Sequence, residues 1–309
     1  MNALKSNEIY GNWATPLLPI EADESINYQK FVDQIAYLIA AGVDGIYSNG
    51  TAGEFYNQTE EEFDQLSTIL AEQCNAANMP FQIGCSHMSP KISLERIKRI
   101  LPLKPSAIQI ILPDWFPPSM PEIISFLKVM VNAATPIGLV LYNPGHAKRK
   151  LSPEDFNEIK RAGVDLVGCK LGGGDEEWYQ RMKNLNPALS LFAPGHRLAT
   201  GISLGANGSY SNMACLNPKA AQAWYQLMQT DLKAALEIEK RVLKFMFDGV
   251  IPYITEQGYA DQAVDKLLAA AGNWGSVGTR LRWPYQWINE LEITKVQAIG
   301  KEIIPEFFI

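Results

Sequence analysis

Asp165-Leu166-Val167-Gly168-Cys169-Lys170, followed at once by Leu171-Gly172-Gly173-Gly174-Asp175, reads as one structural unit. The apolar run predicts a buried strand, and Asp175 predicts the N-cap of a helix after a glycine loop. By strand alternation Gly168 and Lys170 share a face, which leaves room beside the amine for a small ligand. A lysine in this pattern, taken alone, is ordinarily a strand end whose head reaches solvent. The three glycines, taken alone, suit a flexible turn, or a phosphate held at a helix start. The rest of the chain has to decide between these readings.

The same strand-loop-helix unit recurs in both directions. Apolar runs predict strands over 13–18, 43–48, 81–85, 107–112, 137–142, 166–170, 189–193 and 208–212. Between them lie amphipathic segments with legible starts. Thr59-Glu60-Glu61-Glu62 is a capping-box pattern, Ser152-Pro153 supplies an N-cap and a first-turn proline, and Asn217-Pro218 does the same for the last of the series. Eight strand-helix units with short connections predict an α/β protein whose parallel strands close into a (β/α)8 TIM barrel, here over residues 1–230. An open doubly wound sheet is the alternative, but no Gly-x-Gly-x-x-Gly follows the first strand. Residues 231–309 predict a mainly helical C-terminal extension packed on the flank of the barrel, without an independent function.

Composition narrows the function. The 309 residues carry a formal net charge of −6 and no basic stripe, which argues against a nucleic-acid partner. The densest basic run, Lys148-Arg149-Lys150, reads as a solvated loop. No apolar stretch is long enough to span a membrane, and the first twenty residues lack the apolar core of a secretion signal. Cys74, Cys85, Cys169 and Cys215 show neither metal-type nor disulfide spacing, which implies reduced, mostly buried thiols and a cytoplasmic protein. His87, His146 and His196 form no zinc motif. The expectation is chemistry with no metal and no cofactor.

In a barrel of this type the active site lies at the carboxyl ends of the strands. Three motifs fall there. After the second strand comes Asn49-Gly50-Thr51-Ala52-Gly53-Glu54, a glycine-flanked turn whose N–H groups and Thr51 hydroxyl suit an anion such as a carboxylate. The fifth strand ends in Tyr142-Asn143-Pro144-Gly145-His146, with the phenol predicted to project inward. The sixth ends in Lys170. Each motif alone has a structural explanation, as a tight turn, a packed tyrosine or a strand-end lysine.

Together and in this order, the three motifs resemble those of the dihydrodipicolinate synthase and N-acetylneuraminate lyase family of class I, Schiff-base-forming aldolases. That family shows Gly-Thr-Thr-Gly-Glu or Gly-Ser-Thr-Gly-Glu, then Tyr-Asn-x-Pro-x-Arg, then Gly-Ile/Val-Lys-Glu-x-x-Gly-Asp. The resemblance covers about residues 10–300. It implies that Lys170 is the Schiff-base lysine for pyruvate or another 2-keto acid and that Tyr142 is the proton-transfer residue. It further implies that Thr51 assists the phenol, that Thr51 with the backbone at Gly50 and Ala52 grips the keto-acid carboxylate, and that Tyr210 makes the strand-eight contact. A protonated imine is an electron sink, so the adjacent carbon can lose a proton or a carbon–carbon bond can break toward an enamine. The family and its cross-subunit loop also imply a homotetramer or dimer.

Departures from the pattern narrow the substrate. His146 stands near the position of the arginine that, in dihydrodipicolinate synthases, grips the second substrate's carboxylate, so aspartate semialdehyde is not expected here. Pro113-Asp114-Trp115-Phe116-Pro117-Pro118 replaces a Pro-Tyr-Tyr loop, and Ala52 lacks the second hydroxyl. His146, Arg149 and Arg197 are candidates to hold a distal carboxylate or hydroxyls. The reading is a lyase or aldolase acting on pyruvate or a 2-keto (sugar) acid. The alternatives are a dehydratase or hydratase working through the same imine, and, from another class, a non-catalytic keto-acid-binding barrel.

Overall fold

The computed structural model describes residues 2–308, so Met1 and Ile309, the ends of the two predicted segments, lie outside the described residues. Eight parallel strands close into a barrel in chain order: β1 (Gly11–Ala14), β2 (Gly45–Ser48), β3 (Phe81–Gly84), β4 (Ala107–Ile111), β5 (Leu139–Asn143), β6 (Leu166–Leu171), β7 (Ser190–Pro194) and β8 (Gly208–Tyr210). Helices α1 (Tyr28–Ala40), α2 (Glu60–Ala76), α3 (Pro90–Ile100), α4 (Met120–Ala134), α5 (Pro153–Arg161), α6 (Glu176–Leu185) and α7 (Leu198–Leu204) connect them. After β8 come α8 (Asn212–Leu216), α9 (Pro218–Thr230), α10 (Leu232–Gly249), α11 (Ile251–Thr255), α12 (Asp261–Gly272) and α13 (Leu291–Ile303). The closed parallel barrel with additional C-terminal helices is the predicted fold.

The local signals act as read. Thr59 and Glu62 form a reciprocal capping box at α2, and Ser152 with Asp155 forms another at α5, behind Pro153. Asp175 accepts from the Trp178 N–H at 2.8 Å, and Asn217 from the Ala220 N–H at 3.1 Å. Such caps satisfy N–H groups that have no partner inside the helix.

Both ends of the series differ from the prediction, for physical reasons. The first strand starts earlier and stops at Ala14, because Pro16 has no N–H for the ladder. Beyond it, Leu17 pairs instead with the buried Gln34 side chain of α1, donating its N–H and accepting at its carbonyl, both at 2.9 Å. The eighth strand ends at Tyr210, because the Ser211 side chain accepts from the Ala214 N–H and starts α8.

Side chains fill the barrel interior. Trp13, Tyr47, Phe192 and Tyr210 pack together, with Phe192 and Tyr210 stacked at 4.4 Å and Tyr47 meeting Tyr210 edge-on at 4.8 Å. The Tyr210 hydroxyl donates to Gln82 Oε1 at 2.7 Å, which satisfies a buried phenol. Cys169 and Leu171 point the other way, into the apolar layer between strands and helices. This alternation turns Lys170 inward.

The C-terminal segment does more than cover the flank. Helix α12 packs on α8, and Trp274 just beyond it donates to the Cys215 carbonyl at 2.7 Å. Val264 and Asp265 of α12 thereby line the cavity at the carboxyl ends of the strands.

A close approach at β3 holds the loop after β2. A Cβ on Gly84 would lie 2.3 Å from the Asn49 carbonyl oxygen, and Asn49 is itself left-handed at φ 54°. Gly84→Ala should therefore cost about 1–3 kcal/mol through overpacking. Urea denaturation checks this, and a variant of wild-type stability would contradict it.

Candidate active site

Register brings the two central side chains together. Tyr142 of β5 pairs with Lys170 of β6, and Lys170 pairs with Phe192 of β7. Neighbouring positions in parallel strands point the same way, so phenol and amine face one interior space. The Lys170 Nζ lies 4.3 Å from the centre of the Tyr142 ring, 5.5 Å from that of Tyr47 and 5.6 Å from that of Tyr210. Three ring faces thus surround the amine, an arrangement that attracts a cation without a salt bridge.

The loop after β2 forms the opposite wall. The Gly50 carbonyl accepts from the Gly53 N–H at 3.1 Å, and the Thr51 carbonyl from the Glu54 N–H at 3.0 Å. That folding leaves the N–H groups of Thr51 and Ala52 with no acceptor among the described residues, and both residues line the cavity. Two adjacent free donors of this kind suit a carboxylate. Gly50 itself is absent from the cavity wall and serves the turn.

What fixes the loop lies outside the three motifs. Glu54, left-handed at φ 50°, turns its carboxylate inward, where it meets the Lys266 ammonium of α12 at 2.6 Å with both side chains fully buried. Lys266 also donates to the Arg280 carbonyl at 2.5 Å. Burial pulls the Lys266 amine below its ordinary value, and the charge of Glu54 opposes this. Arg282 adds a second latch, donating its N–H to Glu54 Oε2 at 3.3 Å and its guanidinium to Glu62 at 2.7 and 2.8 Å.

The cavity also takes in His146, His196, Asp261 and Asp265. Asn143 holds the loop that carries His146, donating to the Arg149 carbonyl and accepting from the Leu151 N–H, both at 2.8 Å. His196 stands against Asn212, whose side chain accepts the His196 N–H at 3.0 Å, and burial holds its imidazole below the usual value. Arg197 does not join them. It is exposed and outside the cavity wall, and its neighbour His196 faces the cavity instead. Arg149 is engaged by Asp155 at 3.1 Å, at the edge of an adjoining groove. The direct assistance expected from Thr51 to Tyr142 is not made either, because neither hydroxyl has a hydrogen-bond partner among the described residues.

Lys266 and Asp265 of α12, and Arg282 beyond it, were missed in the sequence because this segment is distant in the chain and shows no motif. One signal was available: an acidic-basic pair, Asp265-Lys266, inside an otherwise apolar helical run.

A family model for the dihydrodipicolinate synthetase family matches residues 9–302. An N-acetylneuraminate lyase from Pasteurella multocida is 24% identical over 276 residues, which cover 84% of this chain and 93% of that protein. A 4-hydroxy-tetrahydrodipicolinate synthase from Flavobacterium psychrophilum is 23% identical, covering 80% of this chain and 84% of that protein. Among solved structures, a prophage protein of the dihydrodipicolinic acid synthase family from Escherichia coli K12, in complex with pyruvate, superposes with a TM-score of 0.83. It covers 96% of this chain and 99% of that one, at 18% identity.

The buried pair yields a stability test. Lys266→Met leaves Glu54 charged and unpaired in the interior and should cost about 3–5 kcal/mol. Adding Glu54→Gln should recover most of that loss in chemical denaturation. Additive losses in the double variant would contradict the coupling.

Proposed function

The chain belongs to the dihydrodipicolinate synthetase family, whose members include lyases of the class I aldolase type, and from that premise we propose that it is a lyase acting on pyruvate or a 2-keto sugar acid through an imine on Lys170. The observation that carries this reading is the pairing of Lys170, within a cage of three aromatic rings, with the free N–H groups of Thr51 and Ala52 across one cavity. A 2-keto acid needs both groups at once: donors for its carboxylate and an amine for the adjacent ketone. In this proposal the amine attacks the ketone, water leaves, and the iminium withdraws electrons from the neighbouring carbon. Tyr142, whose ring lies beside the amine, moves the proton of the reacting substituent.

A second reading, dehydration through the same imine, is supported by the composition of the wall. Among the described residues, the basic side chains on it besides Lys170 are His146 and His196, with no arginine to hold a second carboxylate. Product analysis separates the readings: pyruvate plus an aldehyde in one case, loss of water in the other. A screen of 2-keto-3-deoxy acids for pyruvate release supplies the substrate.

Borohydride treatment with pyruvate should leave an adduct on the peptide containing Lys170, absent in Lys170→Ala. An unmodified peptide would refute the imine. Tyr142→Phe should lower turnover by about 10²–10⁴-fold with the adduct still forming, as for the loss of a general acid-base group. Unchanged turnover would remove Tyr142 from that role.

We also propose a homotetramer or dimer. Trp115 and Phe116, 71% and 79% exposed in the loop after β4, support it. Light scattering should give a multiple of the 34.3 kDa chain, and a monomer would contradict the proposal.

A further inference from the structure

The cavity holds two carboxylates to which the reading above gives no task, the exposed Asp261 at its rim and the half-buried Asp265. Asp265 and Lys266 are adjacent on α12, and the helix turns successive side chains about 100° apart. Lys266 therefore points back to Glu54 and is fully paired, whereas Asp265 points into the cavity that contains Lys170. Asp265 makes no hydrogen bond or ion pair among the described residues. A half-buried carboxylate without protein donors is costly to keep charged, and this chain relieves that cost one residue away but not here. An unrelieved group of this kind in a cleft is a candidate for function.

The groups facing Asp265 define what it can do. From β6 comes the charge of Lys170, and from its own helix, one turn earlier, that of Asp261. From β2 and α8 come Tyr47 and Cys215, whose phenol and thiol burial pushes well up, so they keep their protons at neutral pH. The Tyr210 phenol is likewise raised by burial, and it already donates to Gln82. Tyr142 and His146 line the same cavity, as does His196, whose imidazole burial holds below its usual value. Burial pushes the Asp265 carboxyl up to about 7, against the opposing charge of Lys170 and with Asp261 adding to the rise. Near neutral pH, then, Asp265 can both take and give a proton.

We propose that Asp265 is the acid-base group of imine formation at Lys170. The proposal rests on the imine reading above. As a carboxylate it takes one proton from the Lys170 ammonium and leaves a neutral amine. The nitrogen lone pair forms a C–N bond to the ketone carbon, and a proton passes from nitrogen to the carbonyl oxygen to give a neutral carbinolamine. Asp265, now the acid, protonates that hydroxyl. The C–O bond breaks, water departs, and the iminium cation is left facing an Asp265 carboxylate. The sum is ammonium plus ketone giving iminium plus water, with Asp265 returned to its starting state.

The test is the rate at which pyruvate and cyanoborohydride label Lys170, followed by mass spectrometry from pH 5 to 9. Wild-type labelling should show an inflection near pH 7. Asp265→Asn should label about 100-fold more slowly and lose that inflection. Labelling by Asp265→Asn at the wild-type rate with the same inflection would overturn the proposal alone. No labelling of the wild-type chain would overturn the Lys170 reading and this one with it.

Asp265→Leu guards against a trivial loss of fold. Because the folded chain holds the Asp265 proton more tightly than the unfolded one, this residue costs stability as pH rises from about 4 to about 7, and the full cost remains above that. The leucine variant should therefore melt higher than wild type at pH 8 and close to it at pH 4. A lower melting temperature at pH 8 would show the carboxylate to be structural and overturn the proposal.

Discussion

The site depends on a single buried ion pair, Glu54 with Lys266. Two charges taken out of water at opposite ends of the chain cost several kcal/mol each, and only close mutual contact offsets that. The contact is close, at 2.6 Å, and Lys266 has the Arg280 carbonyl as a second acceptor. Its structural effect is to join the β2 loop to α12, beside the latch that Arg282 supplies. The loop that presents the Thr51 and Ala52 N–H groups becomes fixed to α12, which its packing on α8 already holds over the carboxyl ends of the strands. A hydrophobic contact could have held the two together, but it would not have specified which turn of the helix meets the loop.

That constraint explains the arrangement around Lys170. The strands supply the amine and its aromatic surroundings through β-register alone, since Tyr142, Lys170 and Phe192 sit at paired positions on three adjacent strands. The rings of Tyr47, Tyr142 and Tyr210 surround the amine without engaging it in a salt bridge, so it is accessible to an electrophile. Beyond Lys170 and Tyr142, the polar groups that could act on a bound keto acid come from outside the strands, from the loops after β2, β5 and β7 and from α12. Barrel and C-terminal helices therefore contribute to one site.

The sequence carried the barrel because eight apolar runs, each followed by a capped amphipathic segment, admit few other folds. Thr59, Ser152, Asp175 and Asn217 each start the helix they were read to start. Strand ends were less legible where a side chain replaced a backbone partner, as Gln34 does for Leu17 and Ser211 does at α8. In the site, the strand-borne residues could be placed by alternation. Arg197 could not, because one residue of rotation in the short turn after β7 decides whether it or His196 faces inward. Lys266 and Asp265 were illegible for a different reason: Glu54 lies more than 200 residues from Lys266 in the chain and Lys170 lies 95 residues from Asp265, and no local pattern encodes that.

A crystal structure of the chain reduced with borohydride in the presence of pyruvate tests the account most directly. The account predicts continuous density from Lys170 Nζ into the substrate, with the carboxylate on the N–H groups of Thr51 and Ala52 and Asp265 facing the new bond. A bare Lys170 amine, or a carboxylate held away from the β2 loop, would contradict it.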